Sequence, residues 1–274
     1  MLWAQLGPIG YLQDLPDVAP VQVASDRATS ELVTLGGLRY VQTAPRAPRT
    51  WSVPMTFLSP AQVAFLHACA QGAVPGDLYL LTSDAAAANL LPPHLAAPGA
   101  GKDTTLGPVS TSPTSGVPVP GTGPMIGVAT AASAGPWSPT VPLRSSAAHF
   151  LSCWVLSGTS MPAGSVIAQY QVVTGGGAVL ATGNIVAATT GTLVRATASF
   201  TTGATAGGVQ LATAATAGRT ITALRLTEGT PSGTEWAAGA GAAKVVVDDP
   251  AQTLNLVRGS TVLSDYQWTL REVA

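Results

Sequence analysis

The sequence predicts a mainly β protein with one short helix. Three observations predict it. Short runs with apolar and polar residues alternating at period two recur along the whole chain. Gly (30 residues) and Pro (22) punctuate those runs at turn spacing. Only one segment, Pro60 to Gln71, has helical spacing of apolar residues.

The helix is framed by its ends. Ser59 is placed to cap the free N–H groups, and Pro60 at the first helical position loses nothing by lacking its own. Val63, Leu66 and Ala70, with Phe65 and Cys69 beside them, give two adjacent apolar faces, and Gly72 supplies the stop. Around it, Glu31–Leu35, Leu38–Gln42, Thr50–Phe57 and Asp77–Thr82 read as strands, with Gly36-Gly37 as a hairpin turn. Strand, helix and strand from Trp51 to Leu81 make a unit with one helix laid on a sheet.

The middle of the chain is dominated by Gly, Ala, Thr and Val. Here His149–Leu156, Val166–Val173, Ala178–Ala181, Leu193–Thr201, Gly208–Ala212 and Ile221–Thr227 alternate, with Gly175-Gly176-Gly177 as one turn. Short strands at this spacing suggest a β-sandwich. Lys244–Val247, Thr253–Leu256 and Asp265–Arg271 read as three closing strands, with Asp248-Asp249-Pro250 as a turn. The Pro-, Gly-, Ser- and Thr-rich run from Leu91 to Gly123 reads as long loops. Composition shifts at both ends of the middle segment, and the closing strands share the character of the first segment. That favours a first domain made from 1–88 and 244–274, interrupted by a second at 89–243. A sequential two-domain chain is the alternative.

The charge balance narrows function. Twelve Lys+Arg against thirteen Asp+Glu leave a net charge of −1, and only 9% of residues are charged, where about 25% is usual. A disordered chain is less apolar and more charged, and a nucleic-acid binder carries a basic stripe that is absent here. No apolar run reaches the length of a membrane span, and the opening MLWAQLGPIGYLQDLP has no continuous apolar core of a secretory leader. Cys69 and Cys153, each in apolar surroundings, read as buried free thiols. So little surface charge suits a subunit covered by neighbours.

No constellation points to catalysis, a metal or a cofactor. His67, His94 and His149 have no metal-ligand spacing. There is no nucleophile elbow, phosphate loop or dinucleotide fingerprint, and the acids are too sparse for a carboxylate pair across a glycosidic bond. The chain is therefore expected not to be an enzyme. Trp137 and Trp236 are the candidate glycan contacts, Trp137 lying between Pro136 and Ser138-Pro139 and Trp236 in a Gly-flanked loop; Trp154 reads as sheet packing.

Two stretches carry a family resemblance. The segment TWSVPMTFLSPAQVAFLHACAQGAVPGDLYLLTSDAAAANLL from Thr50, the opening LGPIGYLQDLPDV and the closing SDYQWTLREV resemble minor tail proteins of long-tailed phages, especially of actinobacterial hosts. From Asn89 to about Asp248, Asn89-Leu90-Leu91, the strand FLSCWV from Phe150 and the ending ITALRLTEGTPSGTEWAAGAG are similar to carbohydrate-binding-module-like jelly rolls. The resemblance implies a tail-tube-like or distal-tail-like domain (1–88 and 244–274) with an inserted jelly roll (89–243). It implies a structural virion protein at the distal end of the tail, forming a ring, a hexamer by analogy, around the tail lumen. The implied partners are further copies of itself and the tail tube and hub proteins. Contact of the jelly roll with a host-surface glycan is the alternative function.

Overall fold

The structure is a computed structural model that describes residues 4–15, 22–25, 29–33, 38–43, 48–56, 58–98, 109–130, 135–214, 218–231, 233, 235–239, 241–248, 250–258 and 261–273. In chain order the elements are β1 (Ala4–Gly7), β2 (Gln13–Asp14), β3 (Gln22–Ser25), β4 (Thr29–Val33), β5 (Arg39–Thr43), β6 (Arg49–Met55), α1 (Pro60–Ala70), β7 (Leu78–Thr82), α2 (Ser83–Ala88) and α3 (Pro93–Ala96). There follow β8 (Val109–Val119), β9 (Gly123–Thr130), β10 (Gly135–Pro136), β11 (Val141–Pro142), β12 (Ala148–Met161), β13 (Val166–Val173), β14 (Val179–Ala187), β15 (Gly191–Thr201), β16 (Gly208–Thr213) and β17 (Arg219–Glu228). The chain closes with β18 (Ala243–Val247), β19 (Ala251–Arg258) and β20 (Thr261–Glu272). The molecule is mainly β, as the alternation predicts.

The first sheet runs β2-β1-β7-β18-β20-β6-β3, with β19 on the first half of β20. It joins the two ends of the chain. Trp51, Val53 and Met55 of β6 lie opposite Leu270, Trp268 and Tyr266 of β20 and all six face the core. Alternation puts every second side chain on that face. Arg49 fixes the register: its Nη2 and Nε donate to the two oxygens of Glu272, both at 2.9 Å, and its backbone N–H donates to the same carboxylate. Such a fork is the strong form of an ion pair.

Helix α1 covers this sheet with Leu66 and Cys69 buried. Its start is a capping box: the Ser59 N–H donates to Gln62 Oε1 at 2.9 Å, and the Gln62 N–H to Ser59 Oγ. Gly72 follows its end at φ +68°. His67 meets the Trp268 ring edge-on at 5.4 Å between centroids.

The second sheet runs β10-β16-β13-β14-β15-β12-β17-β9-β8, with β11 also on β16. It is continuous, yet β14 and β15 are paired at only two positions, Val186↔Thr197 and Ala187↔Ala196. There the sheet turns over, so that β16-β13-β14 face β15-β12-β17 across one core containing Leu151, Val155, Ile167, Ile185, Leu211 and Leu226. The sandwich is thus one curled sheet closed on itself. On β14, a Cβ at Gly183 would stand 2.2 Å from the Tyr170 hydroxyl. The glycine lets Tyr170 lie across the strand and stack on Phe200 at 4.5 Å.

The sequence reading of 91–123 as long loops or an extended connection is corrected over the described residues 91–98 and 109–123. Leu91, Leu95 and Ala96 are fully buried in the sandwich core, and 109–119 is a strand. Pro113 and Pro118 are tolerated because β8 is the edge of its sheet, where a missing N–H costs no ladder bond. Its Val117 and Val119 are buried with Ala223, packed with Trp154 and Leu156 on the outer side of β12. Helices α2 and α3 were also unforeseen, because six and four residues are too short to show a period. The Gly36-Gly37 turn lies outside the described residues.

The two sheets are joined at a β-bulge. Between the pairs Ser152↔Arg225 and Trp154↔Thr222, β17 holds one residue more than β12. Ala223 takes up the excess with φ +50°, a left-handed conformation that costs a non-glycine residue about 1 kcal/mol or more. Asn89, fully buried between α2 and α3, reads this bulge. Its Nδ2 donates to the carbonyls of Leu224 (2.9 Å) and Ala237 (3.0 Å), and its Oδ1 accepts from the N–H groups of Leu226 (3.0 Å) and Leu91 (3.1 Å). Arg225 adds a clip: its guanidinium donates to the carbonyls of Ala88 at the end of α2 and of Glu235.

Two outcomes are expected. Asn89→Ala leaves buried backbone groups without partners and should lower unfolding free energy in urea by about 3 kcal/mol, whereas Ser145→Ala, at an exposed loop position, should be neutral. The second concerns His149, which is buried and whose Nε2 lies 3.2 Å from the Arg144 carbonyl. Desolvation lowers its pKa below 6.5, against smaller raising effects of the Arg144 carbonyl and Glu228. The unfolded chain therefore takes up the proton first. The contribution of His149 is fully present above about pH 6.5 and is lost as pH falls below it. Thermal midpoints of the wild type should fall from about pH 7 to about pH 5 more steeply than those of His149→Gln.

Candidate assembly surface

Five of the eleven exposed large apolar side chains described fall in one stretch, the others being Tyr11, Ile126, Val179, Leu180, Val246 and Val273. Of the large hydrophobic side chains that are exposed, Val23, Val33, Leu38, Tyr40 and Val41 all fall between residues 22 and 43. Two elements carry them. Strand β3 is the end strand of the first sheet, and all four of its residues are exposed. Strands β4 and β5 form a separate two-stranded sheet.

Register defines the faces of that hairpin. Glu31 lies opposite Val41, and Val33 opposite Arg39, so these four share one face; Tyr40 is on the other. Arg39 Nη2 donates to Glu31 Oε2 at 2.6 Å. This ion pair is exposed and adds little. Val41 at 61% and Tyr40 at 59% exposure show that both faces meet solvent. An isolated two-stranded hairpin is marginal in water, and an open edge strand offers a row of unpaired backbone groups to another chain. A further hairpin lies at the other end of the first sheet's chain path. The pairing of β19 with β20 from Leu254↔Ser264 to Arg258↔Thr261 runs past the residues of β20 that pair with β6 and β18.

The residues singled out from the sequence lie elsewhere. Trp137, the first candidate glycan contact, is placed in the core: it is 3% exposed, and its backbone N–H donates to the Leu211 carbonyl. Pairing of Gly135-Pro136 with β16 draws the following ring into the sandwich. Trp236 is half-buried, and its Nε1–H lies 3.2 Å from the carbonyls of both Ala96 and Leu224. The two rings are therefore largely spent on packing and on the joint. Nothing in a single sequence separated these rings from exposed ones. The exposed hairpin, by contrast, could have been found from β-branched and aromatic residues on both faces of a short strand pair.

The remaining reactive groups are also interior. Cys69 and Cys153 are buried free thiols in different cores. Burial pushes their pKa values up to about 11 and about 12, so neither carries appreciable thiolate at neutral pH. Among the described residues, no group of three His, Cys, Asp or Glu side chains is arranged to hold a metal ion. None of the described helices is long and apolar enough to cross a membrane.

No protein-family model matches the chain, and no curated protein matches it. Distant likenesses among solved structures include the following two. One is the Dit protein of phage SPP1, described as a paradigm of the hub adsorption apparatus in phages infecting Gram-positive bacteria. It shares 11% identity over 83% of this chain and 99% of its own, with a TM-score of 0.26. The other is VP2 of infectious bursal disease virus as a subviral particle, with 11% identity over 97% of this chain and 75% of its own and a TM-score of 0.20. At these scores neither likeness establishes a shared fold.

If the hairpin is a contact between subunits, charge in place of Val33 and Val41 should abolish assembly without harming the fold. Val33→Lys with Val41→Glu is expected to keep the thermal midpoint within a few degrees. It should convert any oligomer seen by multi-angle light scattering to monomer. An oligomer of unchanged mass would show that this face is not the contact.

Proposed function

We propose that the chain is a structural protein of a phage tail tip. In this reading 1–88 and 244–274 form a ring-building domain, a hexamer by analogy with tail tubes, around the tail lumen. The 89–243 domain, of jelly-roll type, is displayed outward. The observation that carries the reading is the hairpin β4–β5, which exposes Val33 and Val41 on one face and Tyr40 on the other, together with the open edge of β3. Such a surface is a liability in a free protein and an asset in a subunit.

The charge content supports the same reading. Removing a charge from water at a subunit contact is costly, and interface centres are depleted of charged residues. A chain with 9% charged residues has few to desolvate. The sequence resemblance of Thr50–Leu91 and Ser264–Val273 to minor tail proteins names the kind of particle. The tail tube and the hub proteins are then the neighbours along the tail axis, and the role is scaffolding rather than catalysis.

Immunogold electron microscopy of intact particles tests this. An antibody against the native chain should label the distal end of the tail. Tailed particles left unlabelled by an antibody that recognises both native and denatured protein would refute the proposal.

A further inference from the structure

A cleft away from the hairpin is lined by residues of 8–13 and 65–79, with Gly175 contributing from the second sheet. Its volume is about 730 Å³, within the range of about 300–1,000 Å³ usual for small-ligand sites, which favour domain interfaces. Its wall on one side is the turn after β1. The Tyr11 N–H donates to the Pro8 carbonyl at 3.0 Å, and Gly10 at φ +84° tightens the turn. This turn is pinned to the second sheet by backbone contact: a Cβ at Gly10 would stand 2.6 Å from the Cα of Gly175, and one at Gly207 3.0 Å from the Cα of Gly10. The other wall comes from α1 and the approach to β7, through Phe65, Asp77 and Tyr79.

The lining has two chemistries side by side. Tyr11, Phe65 and Tyr79 supply aromatic surface, and Tyr11 is 75% exposed, the most open large apolar side chain described. Between them stand hydrogen-bonding groups with spare capacity. The Gln13 amide and the Tyr11 hydroxyl make no hydrogen bond to another described residue, and the Tyr79 hydroxyl interacts with Asp77 and Lys244 through charge. Asp77 Oδ1 holds Lys244 Nζ at 2.9 Å, which leaves Oδ2 open and the local charge near zero. Aromatic faces suit the C–H faces of a pyranose ring, and amide, phenol and carboxylate groups suit its hydroxyls. A purely apolar peptide would leave those polar groups unpaired, and an anion would face Asp77.

We propose that this cleft binds an uncharged saccharide, with Tyr11 as the stacking ring and Gln13 and Asp77 as hydroxyl partners. The site is separate from the assembly surface and does not rest on the tail-tip reading.

The test uses the full chain with chitotriose and cellotriose as probes, followed by saturation-transfer difference NMR and calorimetry. At least one trisaccharide should bind, and Tyr11→Ala should weaken it by about tenfold, with a similar loss for Gln13→Ala. Both positions are exposed, so the variants should melt as the wild type does. Val33→Lys with Val41→Glu should leave binding unchanged, which separates this site from the assembly surface. No saturation transfer to either sugar, or binding indifferent to both Tyr11→Ala and Gln13→Ala, would overturn the proposal.

Discussion

The relation between the two sheets depends on one side chain. Asn89 is fully buried and uses both ends of its amide on the backbone: two carbonyls on Nδ2, two N–H groups on Oδ1. A buried amide with no partner would cost several kcal/mol. With all four directions satisfied it becomes a specifier, because any shift of α2 relative to β17 breaks several bonds together. The Leu90 N–H to the Leu226 carbonyl at 2.7 Å and the Ala242 N–H to the Leu90 carbonyl at 3.1 Å run through the same joint. So the chain leaves the first sheet at residue 89 and returns to it at residue 242 within one hydrogen-bonded cluster. A long excursion that starts and ends at one point leaves the first sheet free to complete itself.

The bulge on β17 explains why an asparagine can do this. Beside the extra residue and the left-handed Ala223, the carbonyl of Leu224 accepts from both Asn89 and Trp236. The local strain is offset by those bonds and by Arg225, whose guanidinium ties the end of α2 to the 233–235 segment. A second contact between the sheets is close backbone packing of Gly10, Gly175 and Gly207, beside which Leu12 and Tyr79 of the first part of the chain pack against the sandwich core.

How much of this was legible follows from what each signal measures. Val166–Val173 matches its strand residue for residue, because alternation against a buried core is a local pattern. Helix α1 was legible from Ser59, Pro60 and Gly72 for the same reason. What escaped is nonlocal. Pro113 and Pro118 argue against a strand unless one knows that β8 is an edge, and edge position is a property of the whole sheet. Trp137 sits between prolines like a loop residue, and only the pairing of Gly135-Pro136 with β16 buries it. Asn89-Leu90-Leu91 marks the start of the jelly-roll resemblance, but the bonds that Asn89 makes across the joint leave no local signal in the sequence. The cleft aromatics Tyr11 and Tyr79 come from distant parts of the chain and meet only once the first sheet forms.

The distribution of apolar surface then separates what folding uses from what it leaves over. Within the second sheet, even the outer side of β12 is covered: Trp154 and Leu156 pack with Val117 and Val119 of β8. The chain spends a whole proline-bearing strand on that cover. At the other end it leaves Val33, Tyr40 and Val41 bare on a hairpin with no third strand. Poor folding economy does not account for both in one molecule. A sequence able to cover one outer face with an added strand, yet leaving another face apolar and open, is better understood if the second face is covered by something outside the chain. A hairpin that is marginal alone gains most of its order at that contact, so its stability and the assembly it serves become a single free-energy term.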